Sequence, residues 1–251
     1  MNAPTAALGE LQGVWRRSSI GWPDGRCDTE TQVYWLQGPS FFADLRQPAS
    51  MADFSHVRSL ADLSHQDCLS LARQEGFAGH LTFDGRHFEW HRKIDFQPKG
   101  KQADVGSLRW QKNVLIEAGR DLPYVEHWHR DPMIATQPAA AALLRHRQLG
   151  TSGILVRGGE YYIFSRDRAV ELNQYSNLAE YVAAARTLED ARALVDCEIS
   201  FARVTNDAIR ITASTLPHRV GCNLGGLDSS WEILKIEGDP GALRAILWLN
   251  R

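Results

Sequence analysis

The side chains best equipped for chemistry in this chain are charged and aromatic residues set inside apolar, strand-like runs. Glu126, Trp128 and Arg130 alternate in one run, Trp90 and Arg92 in another; Arg46 ends a third, and Arg17 follows Trp15 by two. Alternation puts each such set on one face of its strand. Guanidiniums offer paired donors to carboxylate or phosphate, and aromatic walls with a few charges make a small-ligand site. An unpaired buried charge is expensive. These residues therefore line a polar pocket, or pair with Asp44, Glu117 and Glu126 and plug it, or decorate a solvent-facing surface. In the pocket reading Arg17, Arg46, Arg92 and Arg130 are counter-charges for a polar or anionic molecule. Trp35, Trp90 and Trp128 are its walls, with the direction of Trp35 left open, and Glu126 is its acidic member.

Other chemistries find weaker support. His80, His87 and His91 lie near Glu89, and His127 and His129 share a strand face. Imidazole suits zinc or haem iron, but the hairpin carrying the first group turns it outward. The second group keeps a haem-binding alternative in play. No metal and no cofactor is expected. Glu126 and His127 point to opposite faces, so they do not act together. No serine sits in a nucleophile elbow, and the glycine-rich run at 221–226 lies in no βαβ unit. Cys222 and His218 are near only in sequence. No catalytic residue is assigned, and a barrel enzyme is the least supported reading.

The elements that must position these residues are mostly strands. Runs at 11–20, 32–37 and 41–46 alternate, separated by a Trp22-Pro-Asp-Gly25 turn and a Gly38-Pro39 break. Ser64 with Asp67 three residues on is a helix start, with Gly76 as its end. Asp84-Gly85 predicts a two-residue hairpin turn. That register sets Phe83 opposite Arg86, Leu81 opposite Phe88 and Gly79 opposite Trp90, and turns Leu81, Phe83, Phe88, Trp90 and Arg92 inward. Strands at 106–111, 114–118 and 124–130 follow. About eight hairpin-linked strands are expected to close on themselves and remove their edges, leaving room for side chains or one small ligand.

After Asp131-Pro132 and the run Gln137-Pro-Ala-Ala-Ala-Ala142, read as a linker with a helical turn, the same plan repeats. A hairpin turns at Gly158-Gly159. Asn177 and Thr187 each start a short helix. Strands at 198–203 and 208–213 pair, and a closing hairpin joins 231–236 to 242–248. The expected fold is mainly β: two antiparallel barrels in tandem over 8–131 and 143–251, each with a short helical insert.

The chain has 251 residues, enough for one large domain or two ordinary ones, with 43% hydrophobic side chains to fill a core. The near balance of 28 basic and 30 acidic residues leaves no footprint for nucleic acid or an anionic membrane. No apolar run spans a bilayer and no signal peptide is evident. Four scattered cysteines read as free thiols of a reducing cytoplasm.

Gly13-x-Trp15 in a first strand, with Arg130 in a late one, resembles the calycin group of lipocalin-like barrels. That resemblance implies that Gly13 and Trp15 close one end of the barrel, with Arg130 packed across the indole. Longer stretches resemble the Hri family of bacterial and fungal proteins, built of two lipocalin-like barrels. They are Val33-Tyr-Trp-Leu-Gln37 with Asp44-Leu-Arg46, Glu89-Trp-His-Arg92 with Asp95-Phe-Gln-Pro98, and Asp104-Val-Gly106 with Glu117 and Glu126-His-Trp-His-Arg130. The Hri resemblance implies a fold and no activity. The expected function is non-enzymatic binding of a small polar or anionic molecule in the first barrel. The alternatives are a protein-interaction scaffold with plugged barrels and a haem-binding nitrobindin-like protein.

Overall fold

Alternating apolar and charged runs in the first half become nine strands and one helix in a computed structural model, which describes residues 5–131, 139–206 and 208–247. In order they are β1 (Gly13–Gly21), β2 (Cys27–Asp28), β3 (Gln32–Gln37), β4 (Phe41–Gln47), α1 (His65–Leu71), β5 (Glu75–Phe83), β6 (Phe88–Asp95), β7 (Val105–Gln111), β8 (Val114–Gly119) and β9 (Val125–Arg130). Every neighbour pair is antiparallel, and β1 pairs with both β3 and β9, so all but the two-residue β2 close into an eight-stranded barrel.

Ser64 caps α1 by accepting from the Asp67 amide, and Asp67 reaches back to the Ser64 amide. The helix ends at Leu71, and Gly76 lies in β5 instead of ending it. The β5–β6 hairpin differs from its expected register by two residues. Phe83 pairs with Phe88, Leu81 with Trp90 and Gly79 with Arg92. The cause is the Asp84 carboxylate, which accepts from the Arg86 and His87 amides at 2.7 and 2.6 Å and holds a longer loop. A shift of two preserves the facing. Leu81, Phe88 and Trp90 are buried inside, while the His80 and His91 rings stack outside at 4.4 Å.

The second half forms β10 (Ala139–His146), β11 (Ser152–Gly158), β12 (Tyr161–Arg166), α2 (Leu178–Ala183), α3 (Leu188–Val195), β13 (Glu198–Thr205), β14 (Ala208–Ser214), β15 (Trp231–Gly238) and α4 (Arg244–Leu247). The sheet runs β14-β13-β12-β11-β10-β15, and among the described residues its two outer strands do not pair with each other. Two expectations are corrected here. The alanines are no linker, because 139–146 is a strand held between β11 and β15; residues 132–138 of that stretch lie outside the described residues. The closing hairpin is also replaced. Asp239 accepts from the Gly241 amide at 2.9 Å and Pro240 sits in the first helical turn, so 240–247 winds helically and β15 pairs with β10.

The alanines have a packing reason to be there. A Cβ built at Gly38, beyond β3, would stand 3.2 Å from the Ala141 Cβ and 3.2 Å from Val156. At this point the barrel's outer face approaches the second sheet too closely for a side chain larger than that of Ala141. Val14, Leu36, Ala43, Leu45 and Ile94 join Ile154, Ile163, Ile199 and Phe201, with residues of all three longer helices, in one buried cluster. The two halves share this core, and the barrel keeps a second, aromatic core inside.

Candidate binding site in the first barrel

Inside the barrel the aromatic residues divide it into a closed end and an open end. Trp15 closes the first. Its indole stacks on Trp35 at 5.6 Å, its Nε1 donates to the Leu11 carbonyl at 2.7 Å, and the guanidinium carbon of Arg130 lies 4.6 Å from its ring. Ala6 donates to the Leu108 carbonyl, drawing the N-terminal segment across this end. Arg130 thus serves the closed end. Its Nε and Nη2 are buried without a hydrogen-bond partner, and burial lowers its pKa. The Trp15 face replaces those contacts by cation–π attraction.

At the open end lies a cavity of about 120 Å³. Trp35, Arg46, Trp90, Arg92, Glu126 and Trp128 all line it, along with Phe42, Phe77, Asp104, Glu117 and Tyr124. Trp35 points inward, 5.3 Å from Trp128 and 6.3 Å from Trp90. Arg17 sits behind the lining, bridging Glu126 at 2.7 Å and Asp28 at 3.0 Å. A bulge between Arg17 and Ser19 then turns Ile20 toward the cavity in place of Ser19.

Of the four arginines expected to hold an anion, Arg17, Arg46 and Arg92 are engaged by carboxylates, and Arg130 is not. Arg46 binds Asp44 at 2.8 Å and Glu126 at 3.4 Å. Arg92 binds Asp104 at 2.6 Å and Asp95 at 3.4 Å, and its guanidinium lies 3.6 Å over the Phe77 ring. Burial sets the acid–base state of the acids. It raises Asp44 against the pull of Arg46, and it pushes Asp95 up to about 6 despite Arg92. Glu117 is held well above the usual carboxylate range, first by burial and then by Glu126 and Asp104. It accepts from the Tyr124 hydroxyl at 2.8 Å and from Trp128 Nε1 at 3.0 Å.

Asp95 gives a pH prediction. Folded, it keeps its proton to about 6 against an ordinary 3.8, so its contribution to stability falls as pH rises from about 4 to about 6. The shift corresponds to about 3 kcal/mol. Asp95→Asn is expected to gain that much on the wild type between pH 4 and pH 7 in urea unfolding. A wild-type-minus-variant difference that is flat with pH contradicts the assignment.

The cavity borders a sparsely paired stretch of the barrel wall. β6 pairs with β7 only at Phe88–Gly106 and Glu89–Val105. Past Trp90 the strands part, and a groove of about 670 Å³ opens between β6 and the 99–105 loop. Trp90, Arg92, Asp104, Leu122 and Tyr124 line both groove and cavity. The Arg92–Asp104 pair spans the parted strands and stands between the two spaces.

The histidines and cysteines lie elsewhere. His127 and His129 are exposed on the barrel's outer face, so neither reaches into the cavity as a haem ligand. Cys222 donates to the His218 carbonyl, not to its ring. Among the described residues no cluster of three or more His, Cys, Asp or Glu is arranged to hold a metal ion, and no helix is long and apolar enough to cross a membrane. Sequence reasoning placed Arg46, Arg92, Glu126 and the three tryptophans in the lining, assigned Arg17 and Arg130 to it although neither lines the cavity, and missed Tyr124, Phe42 and Phe77.

No protein-family model matches the chain, and no curated protein is a significant match. A solved structure is similar: the uncharacterized protein YLR301w of Saccharomyces cerevisiae. It aligns with a TM-score of 0.54 at 8% identity, over 89% of this chain and 98% of that one. At that identity the likeness speaks for the fold alone, and it spans both the barrel and the second sheet.

Proposed function

We propose that this chain is a non-enzymatic binding protein that takes a small polar molecule into its first barrel. One observation carries the reading: an aromatic-walled cavity with buried acids and arginines lies under a seam where β6 and β7 part. A barrel filled only for stability gains nothing from an open wall beside its most polar interior. As part of the same proposal, the barrel is of the calycin type and the chain is a Hri-type protein. The motifs at 33–37, 89–92 and 126–130 support this, as does a closed eight-stranded plan. Native mass spectrometry of the gently purified protein tests the binding reading, which expects a non-covalent low-mass adduct at one per chain.

A second reading draws on the pairing of Arg17, Arg46 and Arg92 with carboxylates. There the ion pairs only plug the barrel, and the chain works as an interaction scaffold. It expects the bare polypeptide mass under the same conditions.

A further inference from the structure

The open end of the barrel gathers more carboxyl groups than cations. Asp28, Glu126 and Asp44 share two guanidiniums, Arg17 and Arg46. Asp95 and Asp104 share Arg92. Glu117 is the sixth carboxyl beside three arginines, and among the described residues it makes no ion pair. Both its hydrogen bonds come from neutral donors, Tyr124 and Trp128. Each carboxylate oxygen can accept a second bond, and Glu117 lines the cavity, so an occupant can reach it.

We propose that the occupant of the barrel is a small organic cation, an ammonium of a handful of heavy atoms. It is held by the Glu117 carboxylate and by the faces of Trp35, Trp90 and Trp128. The inference rests on the binding reading above and adds to it the sign of the charge.

Three arguments favour a cation over an anion. An anion meets Arg46 and Arg92 already neutralised by carboxylates at hydrogen-bond distance, and it comes to lie beside those acids. A cation meets an acid that has no counter-charge. Tryptophan faces attract cations, most strongly where water is excluded. Burial favours the neutral acid at Glu117, and an ammonium beside it favours the carboxylate. A space of about 120 Å³ is about four water volumes, which limits the cation to a small one. Lys99 and Lys101 line the outer groove, so an anion drawn there is the competing outcome.

The test titrates the full chain with methylammonium chloride and tetramethylammonium chloride at constant ionic strength. Sodium acetate and sodium phosphate serve as the anionic arm, and tryptophan fluorescence and calorimetry are the readouts. The expected result is saturable binding of at least one of the two cations, weakened about tenfold or more in Glu117→Gln. Glu117→Asp, which keeps the charge but draws it back, is expected to fall between the two and guards against a misfolded glutamine variant. Acetate or phosphate binding that Glu117→Gln leaves unchanged overturns the sign of the charge while leaving the binding reading intact. No saturation by either cation overturns the inference, and if native mass spectra also show no adduct, the binding reading falls with it.

Discussion

Replacing Trp35 with alanine is expected to destabilise the chain by about 3–5 kcal/mol, the range for deleting a buried aromatic ring. Trp35 is the hub of the barrel's interior. It stacks on Trp15, stands edge-on to Trp90 and Trp128, and donates from Nε1 to Gln37 at 3.3 Å. Its removal joins the closed end to the cavity and leaves three indoles without their common neighbour. Those rings come from β1, β6 and β9, so the loss is not repaired by a shift of one strand. For a chain of this size the melting midpoint should fall by about 10 °C. Trp22→Ala is the control. That ring sits partly exposed in a turn near Arg26, 5.1 Å away, and its loss should cost less than about 1 kcal/mol. Equal effects from the two substitutions contradict the hub role.

Gly79→Ala is expected to cost roughly 3 kcal/mol or more, although it adds only one methyl group. A Cβ at this position stands 1.9 Å from the His91 carbonyl oxygen and 3.1 Å from the Arg92 Cα. Both atoms belong to the backbone of β6, so no side chain can swing aside. Relief requires β5 and β6 to separate at the bulge between Ala78 and Gly79, which also moves Arg92 and its bond to Asp104. The comparison is Gly85→Ala. Gly85 has φ +95° and open space where a Cβ would go, so only the left-handed backbone is penalised, by about 1–2 kcal/mol. Urea unfolding of both variants separates a clash from a conformational cost. A Gly79 variant no worse than the Gly85 variant contradicts the close approach.

Much of this architecture was legible from local chemistry. Ser64-x-x-Asp67, Asn177 and Thr187 each start the helix that their side chains cap. The inward face of the β5–β6 hairpin follows from alternation alone. Its register did not, because the Asp84 carboxylate competes with the two-residue turn by binding two amides of its own loop. The alanines 139–142 carry no local strand signal. Ala141 is held small by the approach of Gly38, and Ala140 and Ala142 pack on the other face of the sheet with Leu155 and Tyr162, which are facts of tertiary packing. Pairing partners were equally hidden. Alternation turns Arg92 inward, but its bond to Asp104 depends on where β6 and β7 separate. Arg130 shares a face with Glu126 yet serves the opposite end, because β9 runs from the cavity at Glu126 to the Trp15 ring at Arg130.

The central claim is that the first barrel is a binding compartment. Indole N–H signals of ¹⁵N-labelled protein test it most directly, read while a library of small polar molecules, cations and anions alike, is titrated in. Trp35, Trp90 and Trp128 line the cavity, whereas Trp22 and Trp231 lie outside it. The account predicts at least one compound that shifts the first three indoles saturably and leaves Trp22 and Trp231 in place. A library that moves none of the three, or binders that move only Trp231, would contradict it.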